Sequence, residues 1–180
     1  MDTTTVERAL EKLGERFTYH TGVDLLLVGG AAGMLTGVLP PARTTTDCDV
    51  MAYVPESAIE AVERAAQEVA EELGLAANWL NSAVQLRRDA LADDWQSRRI
   101  WIATWGQLRV FAVSCVDLIA MKVLAGRAQD LEDIRWMKPR PDDVEFVQRY
   151  LDGLPGEGTS PEQIAEAKDV LESLEIHDRE

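Results

Sequence analysis

The stretch Leu25–Val54, LLLVGGAAGMLTGVLPPARTTTDCDVMAYV, decides the fold. The apolar run Asp24 to Val28 ends in Gly29-Gly30. A run this short, closed by glycine, reads as a buried strand. Ala31 to Thr36 then reads as a brief helix, stopped before Pro40-Pro41. The stretch continues through Arg43-Thr44-Thr45-Thr46-Asp47-Cys48 into a second strand, Asp49 to Val54, ended by Pro55. Glycines between a strand and a helix let a phosphate approach the backbone, and a helix terminus offers free N–H groups to an anion. A plain tight turn reads the same way. Asp47 and Asp49 flank one residue at a strand start, so their side chains share a face. Two such carboxylates repel unless a cation sits between them, and an oxygen-rich pair suits Mg²⁺. The structural alternative is a solvated Asp-x-Asp turn.

Outward from this core, helices and strands mix without strict alternation. Val6, Leu10, Leu13 and Phe17 set an amphipathic helix over Thr5 to Phe17. Ser57 to Leu73 carries Ile59, Val62, Ala66, Val69 and Leu73 on one face of a second. Trp79 to Arg88 fits no single element. Ile100 to Thr104 and Leu108 to Val113 read as two strands joined by a turn at Trp105-Gly106-Gln107. Ser114 with Asp117 resembles a capping box for a helix through Leu124, with Gly126 as its break before Asp130 to Met137. Lys138-Pro139-Arg140-Pro141 is a stiff linker. Helices at Asp142 to Leu151 and from Ser160-Pro161 onward follow, separated by GLPGEG at Gly153 to Gly158. The expected class is α+β with a mixed sheet. The expected domains are 1–140 and a C-terminal helical appendage, 141–180.

The chain has 180 residues, with 18 Lys+Arg against 32 Asp+Glu, a net charge of −14. That acidity argues against nonspecific nucleic-acid binding, which needs basic surface. Arg87-Arg88 and Arg98-Arg99 are the candidates for a local basic patch, against a reading as solvated loop charges. Cys48 and Cys115 are too few for a disulfide framework and fit no zinc spacing. The polar, acidic start Met1 to Thr5 is unlike a signal peptide, and no segment approaches the ~18 apolar residues of a membrane span. A cytoplasmic protein is expected. His20 and His177 have no nucleophile or metal partner nearby in sequence. Trp95, Trp101, Trp105 and Trp136 read as core or interface residues rather than base-stacking ones.

The pattern G-G-A followed by R-x-T-x-D-x-D-V resembles the core of the DNA polymerase β-type nucleotidyltransferases. Within them the closest resemblance is to AbiEii-like bacterial proteins of toxin–antitoxin and phage-defence loci. A second stretch, Asp117 to Ile134, is similar to their helical motif of Lys, Arg and Asp-x-x-Asp, here Lys122, Arg127, Asp130 and Asp133. Trp79-Leu80-Asn81 also matches. The resemblance spans roughly residues 24 to 137. It implies transfer of a nucleoside monophosphate from an NTP to an acceptor (RNA, protein or small molecule), with release of pyrophosphate. By that match Asp47 and Asp49 hold Mg²⁺, as many as two ions, in the in-line geometry of such reactions. Gly29 and Gly30 hold the triphosphate through backbone N–H groups. Arg43 pairs with phosphate or braces Asp47, and Thr45 positions a carboxylate. Lys122 neutralises phosphate charge, and Arg127 contributes to nucleotide binding.

Competing structural readings stand beside these. Arg127, Asp130 and Asp133 at three-residue spacing also make ordinary helical ion pairs. Asn81 is either a buried polar cap or an active-site contact. Active members of the superfamily usually carry a third carboxylate on a later strand, and the strands Ile100 to Thr104 and Leu108 to Val113 hold none. Asp89, Asp93 and Asp94 lie in a loop-like segment before them. Asp117, Asp130 or Asp133 is left to supply the acid. The alternative function is therefore a catalytically degenerate module of the same fold that binds a nucleotide or a partner protein, as an antitoxin or regulator.

Overall fold

The computed structural model describes residues 1–83, 91–92, 94–154 and 159–174. Arg87, Arg88, Asp89, Asp93 and His177, singled out above, lie outside the described residues. The chain divides into two compact units.

The first unit is built on a five-stranded mixed sheet of order β3-β2-β1-β5-β4. Its strands are β1 (Val23–Val28), β2 (Cys48–Val54), β3 (Leu80–Asn81), β4 (Ile100–Trp105) and β5 (Leu108–Ala112). All six residues of β1 are buried, as its unbroken apolar run requires of a strand covered on both faces. It runs antiparallel to β2 and parallel to β5. β3 joins β2 in parallel, and β4 closes the other side antiparallel to β5. The expected mixed α+β class is the observed one.

The unit's helices are α1 (Thr3–Arg16), α2 (Gly29–Leu35) and α3 (Ile59–Leu73), the last entered through a 3-10 turn at Glu56–Ala58. Asp2 caps α1 by accepting from the Thr5 N–H at 2.8 Å, which satisfies one of the orphan donors of the first turn. Val6, Ala9, Leu10 and Leu13 form its buried face. Gly14 lets α1 approach the β4–β5 turn: a Cβ there would lie 2.3 Å from Trp105 Cβ. α3 ends at Gly74, whose left-handed conformation (φ 65°) closes the helix on the Ala70 carbonyl.

Trp79 resolves the segment that fits no element from sequence. Its ring is fully buried and its indole N–H donates to the Ala66 carbonyl of α3 at 2.9 Å. Its own carbonyl accepts from the Cys48 N–H at 2.6 Å. One side chain thus ties α3 to the strand edge, and β3 begins at the next residue.

The second unit holds α5 (Cys115–Ala125), α6 (Ala128–Met137), α7 (Pro141–Gly153) and α8 (Pro161–Glu172). α4 (Trp95–Arg98) falls in it except for its last residue. Ser114 caps α5 by accepting from the Asp117 N–H at 3.2 Å, and left-handed Gly126 ends it. Ser160 and Gln163 form a reciprocal capping box at α8, with Pro161 at its first position. Ile119, Val123, Ile134, Val147, Leu151, Ala167 and Leu171 make one core from all four helices. The apolar stripe of α8 therefore packs inside its own unit.

Trp95 is buried, but Trp101 and Trp136 are 61% and 56% exposed, so those two are not core residues. Among the described residues no helix is long and apolar enough to cross a membrane.

Cys48 and Tyr53, both on β2, are buried neutral acids. Burial, with Asp47 and Asp49 adding repulsion, pushes the Cys48 thiol up from 9.0 to about 12. Burial also raises Tyr53 from 10.0 to about 12, against a hydrogen bond with Ser82 that lowers it. Groups whose folded pKa is raised contribute stability in full below their unfolded pKa and lose it as pH climbs to the folded one. The melting temperature is expected to hold flat to about pH 9 and to fall steeply from there toward pH 12. Thermal melts across that range check this, and the decline should be shallower in Cys48→Ala.

Candidate functional site

The candidate site of the first unit forms where β1 ends. The β1–β2 pairing sets Val28 opposite Asp49, so the chain turns into α2 directly beside the Asp49 carboxylate. Gly29 makes that turn in the left-handed region, at φ 67°. A Cβ on Gly29 would stand 2.7 Å from Asp49 Oδ2, closer than real Cβ atoms come. The glycine is required twice, by its backbone conformation and by the carboxylate pressed against it.

The loop from Arg43 to Asp47 lies over the next residue. A Cβ on Gly30 would meet Thr45 Oγ1 at 3.1 Å and an Arg43 guanidinium nitrogen at 3.7 Å. Thr45 donates through Oγ1 to the Asp47 carbonyl at 2.9 Å, so it fixes the Asp47 backbone rather than a carboxylate. Thr46 Oγ1 donates to Asp47 Oδ1 at 3.3 Å, and Arg43 also donates to the Thr44 carbonyl. The backbone of Thr45 pairs in both directions with that of Met1. Sequence reasoning did not find this clamp, because a backbone pairing 44 residues apart leaves no side-chain signature.

Cys48 is buried between half-buried Asp47 and Asp49, as strand alternation requires of two carboxylates on one face. Asn81 stands in register with Asp49 across β2 and β3, and its Nδ2 donates to Asp49 Oδ1 at 2.8 Å. Asn81 Oδ1 also accepts from the Ala83 backbone N–H at 3.0 Å, so the residue both caps a backbone donor and touches Asp49. The structure thus brings Gly29, Gly30, Arg43, Thr45, Asp47, Asp49 and Asn81 together in one unit.

Lys122, Arg127, Asp130 and Asp133 form a separate cluster within the second unit. The buried Lys122 ammonium donates to Asp130 Oδ1 at 2.9 Å and to Asp133 Oδ2 at 2.6 Å. Arg127 Nε donates to Asp130 Oδ2 at 2.8 Å from a side chain that is 77% exposed. The three-residue spacing of Arg127 and Asp130 therefore makes the ion pair that a helix predicts. Lys122 reaches both acids from α5, a contact that spacing along one helix does not contain. Asp117 turns its carboxylate to Ser114 Oγ at 2.6 Å, at the cap of α5.

Other charged residues have structural partners. Arg99, one of the candidate basic-patch residues, pairs with buried Asp24 at 2.9 Å and lies 3.9 Å over the Phe111 ring. Arg109 pairs with Asp24 from the neighbouring strand at 2.5 Å. His20 packs on Tyr19. Among the described residues, no group of three or more His, Cys, Asp or Glu side chains is arranged to hold a metal ion. Asp47 and Asp49 are hard oxygen donors at the start of β2.

The small mixed sheet with its flanking helices is consistent with a small nucleotidyltransferase core. Residues 5–138 match the family described as nucleotidyltransferase of unknown function (DUF6036), and the chain belongs to that family. Among curated proteins and among solved structures, none matches it.

The Lys122 cluster generates a stability prediction. Removing the ammonium leaves two buried carboxylates without their shared cation, a change that costs about 3–5 kcal/mol in comparable buried pairs. Lys122→Met is expected to lower unfolding stability by that order. Arg127→Met, at an exposed position, should cost under about 1 kcal/mol. Urea unfolding of both variants, followed by circular dichroism, measures the contrast.

Proposed function

We propose that this chain transfers a nucleoside monophosphate from an NTP to an acceptor hydroxyl or similar group, releasing pyrophosphate, in a Mg²⁺-dependent reaction. The observation that carries the reading is the Gly29–Asp49 approach, which sets the turn from β1 into α2 directly against a carboxylate fit for a cation.

The residues divide the work by their chemistry. Gly29 and Gly30 would hold the triphosphate through their backbone N–H groups, as the resemblance implies. Arg43, held beside Gly30, offers a guanidinium that matches phosphate geometry. Asp47 and Asp49 would hold Mg²⁺, which neutralises charge developing on the transferred phosphoryl group. Thr45 fixes the Asp47 backbone, and Asn81 fixes Asp49. Lys122 enters only as a further source of positive charge: its ammonium is already shared by Asp130 and Asp133, so the proposal rests on the first unit.

The finer placement, among AbiEii-like proteins of toxin–antitoxin or phage-defence loci, is supported by the Lys122, Arg127, Asp130 and Asp133 motif. The net charge of −14 favours a protein or a cationic small molecule over RNA as acceptor. One observation favours a second reading, a module that binds nucleotide or a partner protein without transfer. It is the pair of carboxylates, Asp47 and Asp49, at the candidate site among the described residues, where an active superfamily member usually has three.

Calorimetric titration of the four NTPs, with and without Mg²⁺, tests the proposal. One NTP is expected to bind only with Mg²⁺. Asp47→Ala and Asp49→Ala should each abolish that binding; a cooperative thermal melt of each variant checks that it is folded, Asp49→Ala losing the Asn81 hydrogen bond as well. Unchanged nucleotide affinity in both variants would sink the metal assignment.

A further inference from the structure

Residues 36–47, between α2 and β2, form no helix or strand. They carry Arg43, Thr45 and Asp47 to the candidate site, with Thr45 lying against Gly30. Among the described residues, the backbone–backbone hydrogen bonds that reach 44–47 from elsewhere in the chain are those exchanged with Met1. The Thr45 N–H donates to the Met1 carbonyl at 2.9 Å, and the Met1 nitrogen donates to the Thr45 carbonyl. Two residues that exchange both bonds form one rung of an antiparallel ladder. The rung is anchored in the core of the unit. Asp2 caps α1 with its side chain, its carbonyl accepts from the Val6 N–H at 3.0 Å, and the helix buries Val6, Ala9, Leu10 and Leu13.

We infer that Met1 is a positioning residue for the candidate site: its backbone pairing with Thr45 holds the Arg43–Asp47 loop over Gly30. The inference rests on the proposed nucleotidyltransferase reading, which gives that loop its work. The relay is continuous. The Met1 backbone fixes the Thr45 backbone, and Thr45 Oγ1 donates to the Asp47 carbonyl at 2.9 Å while standing against Gly30. At its two ends the loop is tied separately, by the Arg43 N–H on the Pro40 carbonyl and the Cys48 N–H on the Trp79 carbonyl. The rung with Met1 ties its middle. Because the contact is backbone to backbone, the presence of residue 1 matters and its side chain does not.

The test compares two chains that both lack the Asp2 cap: Asp2→Met, and Asp2→Met without residue 1. Tryptic cleavage after Arg43, followed by mass spectrometry, reads the loop without nucleotide. The shorter chain is expected to be cut several-fold faster. It is also expected to bind the NTP that requires Mg²⁺ roughly tenfold more weakly, the order set by losing one or two net hydrogen bonds. In a Thr45→Val background, which lacks the Oγ1 link to Asp47, that loss should shrink, because the two changes act through one relay. Equal cleavage of the two chains overturns the inference. Faster cleavage with unchanged affinity overturns it too, and so does an equal affinity loss in both backgrounds. Amide exchange of the unmodified chain needs no variant: the Thr45 N–H should be protected, and exchange at the rate of an unpaired amide overturns the inference. Any of these negatives beside Mg²⁺-dependent NTP binding by the wild type leaves the nucleotidyltransferase reading standing. No NTP binding by the wild type overturns both.

Discussion

The register between β1 and β2 governs the candidate site. Leu26 pairs with Ala52, but Leu27 pairs with Val50, so the pairing skips Met51. Such a bulge adds one residue to one strand and bends it, and bulges concentrate beside active sites for that reason. Without it, Val28 would stand opposite Val50 and Asp49 would slide past the strand end. With it, Asp49 stands opposite Val28 while the following residue is already turning into α2. The approach of Gly29 to Asp49 and the overlay of Arg43 and Thr45 on Gly30 depend on that one-residue offset.

The same strand carries the cost of the arrangement. β2 buries Cys48, Val50, Met51, Ala52 and Tyr53 while holding Asp49 half-buried beside them. Trp79 anchors the neighbouring edge by bonding α3 with its indole and Cys48 with its carbonyl. The chain handles its buried acids in different ways. Asp24 lies between Arg99 and Arg109, and Asp130 and Asp133 share Lys122. At Asp49, Asn81 supplies a neutral amide donor. A buried carboxylate matched by fixed cations is a structural device, because breaking it strands a charge.

Much of this was legible because it is local. The glycine pair after an apolar run, the Asp-x-Asp start of β2, the caps at Ser114 and Ser160 and the break at Gly126 are set by residues a few positions apart. The site residues of residues 29–49 were legible for the same reason. Asn81 was named with two readings open, and its contact with Asp49 was not legible, since it depends on β3 pairing with β2 across 32 residues. Trp79 was hidden likewise: a two-residue strand leaves no periodicity, and its register comes from a buried indole. Spacing alone showed Asp130 and Asp133 as helix neighbours, and only the packing of α5 on α6 brings Lys122 onto both. Trp101 and Trp136 were read as core or interface because large aromatics bury most area. The structure leaves both largely exposed.

The most direct test of the central claim is crystallographic. Crystals soaked with MnCl₂ and a non-hydrolysable analogue of the NTP that binds would locate the ion by its anomalous signal. The account predicts a peak within bonding distance of Asp47 and Asp49, with the triphosphate lying over Gly29 and Gly30. A peak away from both carboxylates, or a triphosphate bound elsewhere on the chain, would contradict it.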